Sequence, residues 1–225
     1  MEAKRLMILV EGDSELMFIK QQVIPELYAH SKSSWSIETC KIVTNRKLNK
    51  KGGNINYEYL CNDVARFAAQ DCTVITTFLD FFRLPITFPG YTTDGKMIHQ
   101  VESAMEADMR KRIPTLLQFV PYIQKHEFEA LLFSSMEGFS YLLDEDSQLK
   151  RIEEIMDEFP CPEDINGGAT TAPSKRLMAI FNYDKTADSS DILELIGFDT
   201  IYSKCPRFAS WFDHLVNVID NEVTI

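Results

Sequence analysis

The sequence holds no apolar run approaching the roughly 20 residues that a membrane-spanning helix requires. No helical span is expected, and no membrane partner. The N-terminal stretch MEAKRLMILVEG meets a glycine and acids directly after Leu6–Val10. That is too short for the apolar region of a signal peptide, so a cytoplasmic location is expected. Cysteines are few and scattered: Cys40, Cys61, Cys72, Cys161 and Cys205 form no CxxC pair. Neither a paired-cysteine zinc site nor a disulfide framework is suggested, and the thiols read as buried and free. Positive charge is also scarce, with 23 Lys+Arg against 34 Asp+Glu and a formal net charge of −11. Nucleic-acid binding through overall charge is excluded. A local basic patch, or an enzyme whose acids hold a metal, is not. Internal repeats and low-complexity segments are absent.

What is present is an ordinary globular composition, 45% hydrophobic and 25% charged over 225 residues, enough to bury a sizeable core. Leu6–Val10 reads as a short buried strand. Ser14–Ala29 reads as a helix carrying Leu16, Ile19, Val23 and Leu27 on one face, capped by Asp13 or Ser14. Ser36–Val43 is a second strand, Asn45–Asn56 a polar basic loop, Tyr57–Ala69 a helix and Val74–Leu79 a β-branched central strand. The order β-α-β-α-β favours a parallel sheet with crossover helices, an α/β fold. Beyond it lie an irregular loop over Phe81–Gly95 and a polar helix over Lys96–Arg112. Leu116–Ile123 is a strand candidate broken by Pro121, and a helix begins at His126. The last third reads as helices over Gln148–Glu158, Ser174–Asn182, Ser189–Ile196 and Cys205–Val218. A composition shift near residue 135 divides an α/β core over 1–135 from a helical extension over 136–225, packed on the core as one continuous globular unit.

Acids cluster where such a sheet places its ligands, at the carboxyl ends of the strands. Glu11 ends the first strand and Asp80 the third, and Lys125-His126-Glu127-Phe128-Glu129 follows the later strand. Glu15, one turn into the first helix, faces the same edge. Like charges so close repel, and a divalent cation removes the conflict. Mg²⁺ prefers hard oxygens, one or two carboxylates with water and substrate phosphate completing its shell. Against this stands a plainer reading, since acids at helix N-termini already stabilise the dipole, and Glu15 has that reason to exist.

The stretch VEGDSE at a first strand end resembles the opening motif of Toprim domains, in which a strand-end glutamate precedes a glycine. The second Toprim motif, Asp-x-Asp after the third strand, is matched by Asp80 in TTFLDFF, but Phe82 stands in the second acidic place. TTFLDFFRLPITFPG, PYIQKHEFEALLF, INGGATTAPSKRL and CPRFASWFDHL together resemble a bacterial Toprim-like family that is itself a domain of unknown function. Its members tend to be encoded beside ATPases of the ABC or SMC-like type. The resemblance covers nearly the whole chain. It implies a Toprim-like fold and a metal-dependent nuclease, the effector of an ATPase-linked defence against phage, with HEFE supplying Glu127 and Glu129 as later acids. It equally permits a catalytically inactive adaptor that binds the ATPase, which the Phe82 departure favours.

If the site is active, its chemistry is phosphodiester hydrolysis of DNA or RNA with Mg²⁺ or Mn²⁺. Glu11 acts as ligand or general base, and Asp80 with Glu127 or Glu129 holds metal. In an extended segment Glu127 and Glu129 share a face. In a helix they diverge by about 200°, and only one reaches the site. His126 contacts a phosphate or stays structural. Candidate substrate-binding residues are Lys47, Lys50 and Lys51, beside Arg46 and Gly52-Gly53, and Lys175 and Arg176 at a helix start after Pro173. The segment GGATTAPSK fails the phosphate-loop pattern because no glycine precedes Lys175, so ATP binding there is rejected.

Overall fold

The computed structural model describes residues 4–30, 34–45, 48, 50–53, 55–70, 72–91, 97–165, 168 and 170–220. The chain divides into two compact units, Met1–Ile123 with Asp213–Ile225, and Gln124–Phe212. The fold is α/β, with a parallel sheet flanked by helices and a helical C-terminal region. No helix among the described residues is long and apolar enough to cross a membrane.

The first unit is built on strands β1 (Lys4–Val10), β2 (Trp35–Lys41), β5 (Val74–Asp80) and β6 (Gln118–Val120), ordered β2-β1-β5-β6, with every pair parallel. All seven residues of β5 are buried, as are the last five of β1. A central parallel strand is covered on both faces, which is why these strands read as continuous apolar runs. One face packs Met7, Leu9, Ile75 and Leu79 against Leu60, Val64 and Phe67 of α3 (Tyr57–Ala68) and Val101, Met105 and Met109 of α4 (Ile98–Arg112). On the other, Phe78 meets Phe18 at 5.9 Å between ring centroids. Each such side chain, fully buried, contributes about 1.5–3 kcal/mol. Two threonines inside β5 are satisfied: Thr76 Oγ1 donates to the Val120 carbonyl at 2.6 Å and Thr77 Oγ1 to that of Tyr122 at 2.8 Å.

The expected first helix is not continuous. It forms α1 (Asp13–Phe18), a π turn over Ile19–Val23, and α2 (Ile24–His30). The cause is Pro25. It offers no N–H, and its ring crowds the carbonyl one turn back, so the preceding turn widens and Ile24 N–H reaches Ile19 O. The N-cap is Gly12, with no side-chain cap bond, rather than Asp13 or Ser14. The expected strand over Leu116–Ile123 shrinks to β6 and a short β7 (Ile123–Gln124) around Pro121. Beyond the proline, Tyr122 N–H turns to Thr77 Oγ1 at 2.9 Å.

The segment expected to be a loop after β2 instead pairs β3 (Val43–Asn45) with β4 (Lys50–Lys51), antiparallel with a register irregularity. Its base is tied down at several points. Ile42 N–H donates to Val10 O at 3.0 Å, Gly52 N–H to Ile42 O at 2.8 Å, and Val43 N–H to Asp63 Oδ2 at 2.7 Å. Gly52, at φ +74°, lies so close to the Glu11 backbone carbonyl that a Cβ there would collide with it.

The second unit wraps around Phe128–Ser134, seven buried residues forming 3₁₀ turns kinked at Phe133, where an α-helix beginning at His126 was expected. Glu127 ahead of it is extended. Around it lie α5 (Glu137–Leu142), α6 (Asp146–Glu158), α7 (Pro173–Ile180), α8 (Ala187–Ile196) and α9 (Phe198–Lys204). The helix α10 (Pro206–Asp220) starts in this unit and ends in the first, where Ile219 O accepts from Trp35 Nε1 at 3.1 Å.

Gly52 and Gly53 both hold positive φ, +74° and +59°, but only Gly52 has a neighbour within 4 Å of a Cβ position. Gly53→Ala should cost about 1–2 kcal/mol for the left-handed backbone alone. Gly52→Ala should cost measurably more, because the Glu11 carbonyl must also move. Urea unfolding of the two variants tests this, and equal losses would mean the hairpin base is not held against β1.

Candidate functional site

The chain leaves β1 toward β2 on one side and returns to β5 on the other. The switch point therefore lies between the carboxyl ends of β1 and β5, where open α/β sheets form their ligand crevice. Val10 pairs with Phe78. Glu11 follows Val10 directly, and Asp80 stands two residues beyond Phe78, so the register sets both acids at one edge. Glu11 is half-buried and Asp80 buried. Glu15, in the first turn of α1, is 2% exposed. Its carboxylate folds back over Gly12, where a Cβ would lie 2.5 Å from Glu15 Oε2. A glycine between the two glutamates is thus a matter of space, since any side chain at position 12 would displace the Glu15 carboxylate.

Two further charges share this edge. Lys41, the last residue of β2, places Nζ 2.6 Å from Asp13 Oδ1. Beyond Asp80, Arg83 takes the left-handed conformation at φ +64°, which is strained for a side-chain-bearing residue. Its guanidinium lies 5.1 Å from the ring centroid of Phe82. The second acidic place of the Asp-x-Asp pattern is filled by Phe82, whose ring has the Arg83 cation beside it. Lys50 and Lys51 are exposed on β4. Lys47 lies outside the described residues, as do Asn166 and Gly167, expected to form a tight turn.

Among the described residues no three His, Cys, Asp or Glu side chains converge to hold a metal ion. The donor set at the edge of the first unit is carboxylate oxygen from Glu11 and Asp80, with Glu15 behind. That suits a water-rich Mg²⁺ or Mn²⁺ rather than a closed protein cage.

The remaining candidates belong to the second unit, and there their bonds have local explanations. Glu127 accepts Ser174 N–H at 2.9 Å on one carboxylate oxygen and Ser174 Oγ–H at 3.1 Å on the other. It thereby satisfies the first turn of α7, where backbone N–H groups have no partner within the helix. Glu129, fully buried, has Oε1 3.0 Å from Lys185 Nζ. The two glutamates part company because one precedes the 3₁₀ segment and the other lies inside it. His126 is also left-handed, at φ +64°. Burial, then the adjacent Lys125 charge, pushes its imidazole pKa down, which favours a neutral ring. Arg176 Nε donates to Thr171 O at 2.9 Å, and its guanidinium lies 5.0 Å from the Phe159 ring centroid and 3.6 Å from Glu158 Oε2. Lys175 Nζ lies 3.9 Å from Met178 Sδ.

Two acids escaped the sequence reading. Glu163, 2% exposed, accepts Arg207 N–H at 2.8 Å and Phe208 N–H at 3.1 Å, at the start of α10. Asp63 anchors β3 and pairs with Arg66 at 3.1 Å. Asp63 did carry a signal: it falls on the same helical face as Leu60, Val64 and Phe67. The five cysteines are free, as expected. Burial raises the thiol pKa of every one, to about 11 at Cys61 and Cys72, so none is poised as a nucleophile.

A family model described as a domain of unknown function, DUF4276, matches residues 10–216. No curated protein and no solved structure matches the chain.

Glu127→Ala should destabilise the protein by about 1–3 kcal/mol, with or without Mg²⁺, because it strands the Ser174 donors in a buried site. Unfolding curves in Mg²⁺ and in EDTA check this, and a loss seen only with Mg²⁺ would return Glu127 to the metal. At Glu163 burial raises the carboxyl pKa, outweighing the lowering pull of the two backbone N–H donors and of Arg207 and Lys125. A raised folded-state value means the folded chain binds the proton more tightly. That stabilisation is complete below the unfolded pKa and is lost as pH rises through the folded one. Wild type should therefore lose stability relative to Glu163→Gln as pH rises from the unfolded carboxylate value, about 4, through the raised folded one. Parallel unfolding curves across that range would reject the linkage.

Proposed function

The chain belongs to the DUF4276 family, and on that premise we propose that it is a Toprim-like, divalent-metal-dependent nuclease. It would act in the cytoplasm on phosphodiester bonds of DNA or RNA. The observation that carries this reading is the placement of Glu11 and Asp80 at the carboxyl ends of the two strands flanking the switch point. Bound at these acids, Mg²⁺ or Mn²⁺ would supply the positive charge that polarises a phosphoryl oxygen and acidifies a water. Asp80 serves as a ligand. Glu11 serves as a second ligand or takes the proton of the attacking water. Glu15, buried behind Gly12, lies at the same edge. The exposed Lys50 and Lys51 supply cations for the phosphate backbone. By the family resemblance, the protein works as the effector of an ABC or SMC-like ATPase in defence against phage.

A second reading is an inactive adaptor that keeps the fold and binds the ATPase. It is favoured by Phe82 standing in the second acidic place, with the Arg83 guanidinium beside its ring.

Incubation of the purified chain with labelled DNA and RNA in Mg²⁺ or Mn²⁺, alone and with the neighbouring ATPase, separates the two. The nuclease predicts cleavage that EDTA abolishes and that Glu11→Ala and Asp80→Ala each reduce by at least about a hundredfold. No cleavage in any mixture, together with ATPase binding that both variants retain, would establish the adaptor instead.

A further inference from the structure

The edge that holds Glu11 and Asp80 is bounded by a cation on each side. The strands β2-β1-β5 are parallel neighbours, so their carboxyl ends bring Lys41, Glu11 and Asp80 to the edge in that order. Val10 pairs with Lys41 on one side and with Phe78 on the other. The Lys41 side chain is only 21% exposed, yet its ammonium meets the 61% exposed Asp13 at 2.6 Å. An exposed ion pair contributes about 0–1 kcal/mol, so stability gives little reason for a lysine at this position. Past Asp80, Leu84 N–H donates to Phe81 O at 3.0 Å, and both of these residues are buried. The turn they close carries Phe82, half-buried, and Arg83, exposed. Arg83 holds φ +64° just before the residue that closes the turn, a place where positive φ selects glycine or asparagine. An arginine there costs about 1–2 kcal/mol of backbone strain. Its guanidinium lies 5.1 Å from the Phe82 ring centroid, and among the described residues it makes no ion pair.

We propose that Lys41 and Arg83 form a phosphate clamp. They hold the phosphates on either side of the one presented to Glu11 and Asp80, so the ligand is a nucleic-acid strand laid across the edge and not a mononucleotide. The inference rests on the nuclease reading for the central phosphate and adds the length of substrate that the site takes. Width is the first argument. The ends of β2 and β5 stand two strand spacings apart, about 10 Å. A strand carries one charge per about 3.4 Å of helix axis, so the edge faces about three phosphates. Charge is the second. In a chain of net charge −11, phosphates flanking the central one meet repulsion unless cations stand beside the acids, and the order lysine, acid, acid, arginine supplies one at each side. Chemistry is the third. Asp13 occupies the Lys41 ammonium weakly enough for a phosphate to take its place, and the planar fork of Arg83 matches two phosphate oxygens. Such contacts position a backbone and read no base.

The test uses the full chain with fluorescein-labelled single strands of DNA and of RNA, and a mononucleotide as competitor. Binding is followed by anisotropy in Ca²⁺, a hard cation that takes carboxylate oxygens. Lys41→Gln and Arg83→Gln should each lower the slope of log K against log salt by about 0.7, the share of one phosphate on a single strand. The polymer on which the slopes fall is the substrate. Asp13→Asn should tighten strand binding several-fold in the wild-type background and far less beside Lys41→Gln. Arg83→Gly should raise the urea midpoint, since glycine relieves the strained backbone, while weakening strand binding. No strand binding by wild type, unchanged slopes on both polymers, a mononucleotide that competes as well as the strand, or an Arg83→Gly chain that unfolds more easily than wild type would each overturn the clamp. Slopes that fall as expected with no cleavage in Mg²⁺ or Mn²⁺ would sink the nuclease reading alone. Cleavage that both glutamine variants retain at the wild-type rate would sink the clamp alone.

Discussion

Strand β5 has no exposed residue. Each of its backbone N–H and C=O groups must therefore find a partner inside the sheet or bear the cost of burial without one. The ladder to β1 answers that demand in a single register, Leu6 to Val74 through Val10 to Phe78. A slip of one residue would turn every apolar side chain to the wrong face. The same register brings the ends of the two strands level and so places Glu11 beside the segment that carries Asp80. The acidic edge is thus a by-product of core pairing. It needs no loop to be ordered for the acids to share an edge.

Carboxylates in this protein follow two different logics. In the second unit Glu127 and Glu163 are buried acceptors for N–H groups at the starts of α7 and α10, and Glu129 lies against a lysine. Each has partners that account for its burial, which fits the rule that a buried charge must be paired or hydrogen-bonded. In the first unit Glu11, Glu15 and Asp80 gather at a sheet edge, and Lys41 at that edge is taken up by Asp13. Carboxylates that accept N–H groups at a helix start contribute to stability.

The hairpin joins the two themes. It looks like a loop locally, since lysines, asparagines and glycines are weak strand formers. It becomes a ribbon because Asp63, twenty residues away on α3, accepts Val43 N–H, and because Val10 O accepts Ile42 N–H as β2 ends. Its position beside Glu11 is set by the core.

The α/β class, the parallel order and the strand-end acids Glu11 and Asp80 were legible in the sequence. Apolar periodicity is a local consequence of burial, and the central strands are buried on both faces. So were the main C-terminal helices, although the short α5 and α9 offered too few turns to register. Other features waited on tertiary structure. Pro25 announces trouble in a helix, but whether the chain kinks, breaks or widens into a π turn depends on what packs beside it. That Ser174 and Lys185 stand against the HEFE acids could not be read from the sequence, because these partners lie more than forty positions away. Gly12 reads as a turn residue, yet its φ is negative, and a side chain there would displace the Glu15 carboxylate that folds back over it. What the sequence determined by itself is where apolar and acidic residues recur along the chain. Which acids cap helices, which share an edge and which loop becomes a ribbon depends on hydrogen bonds between distant residues, and only the folded chain brings those together.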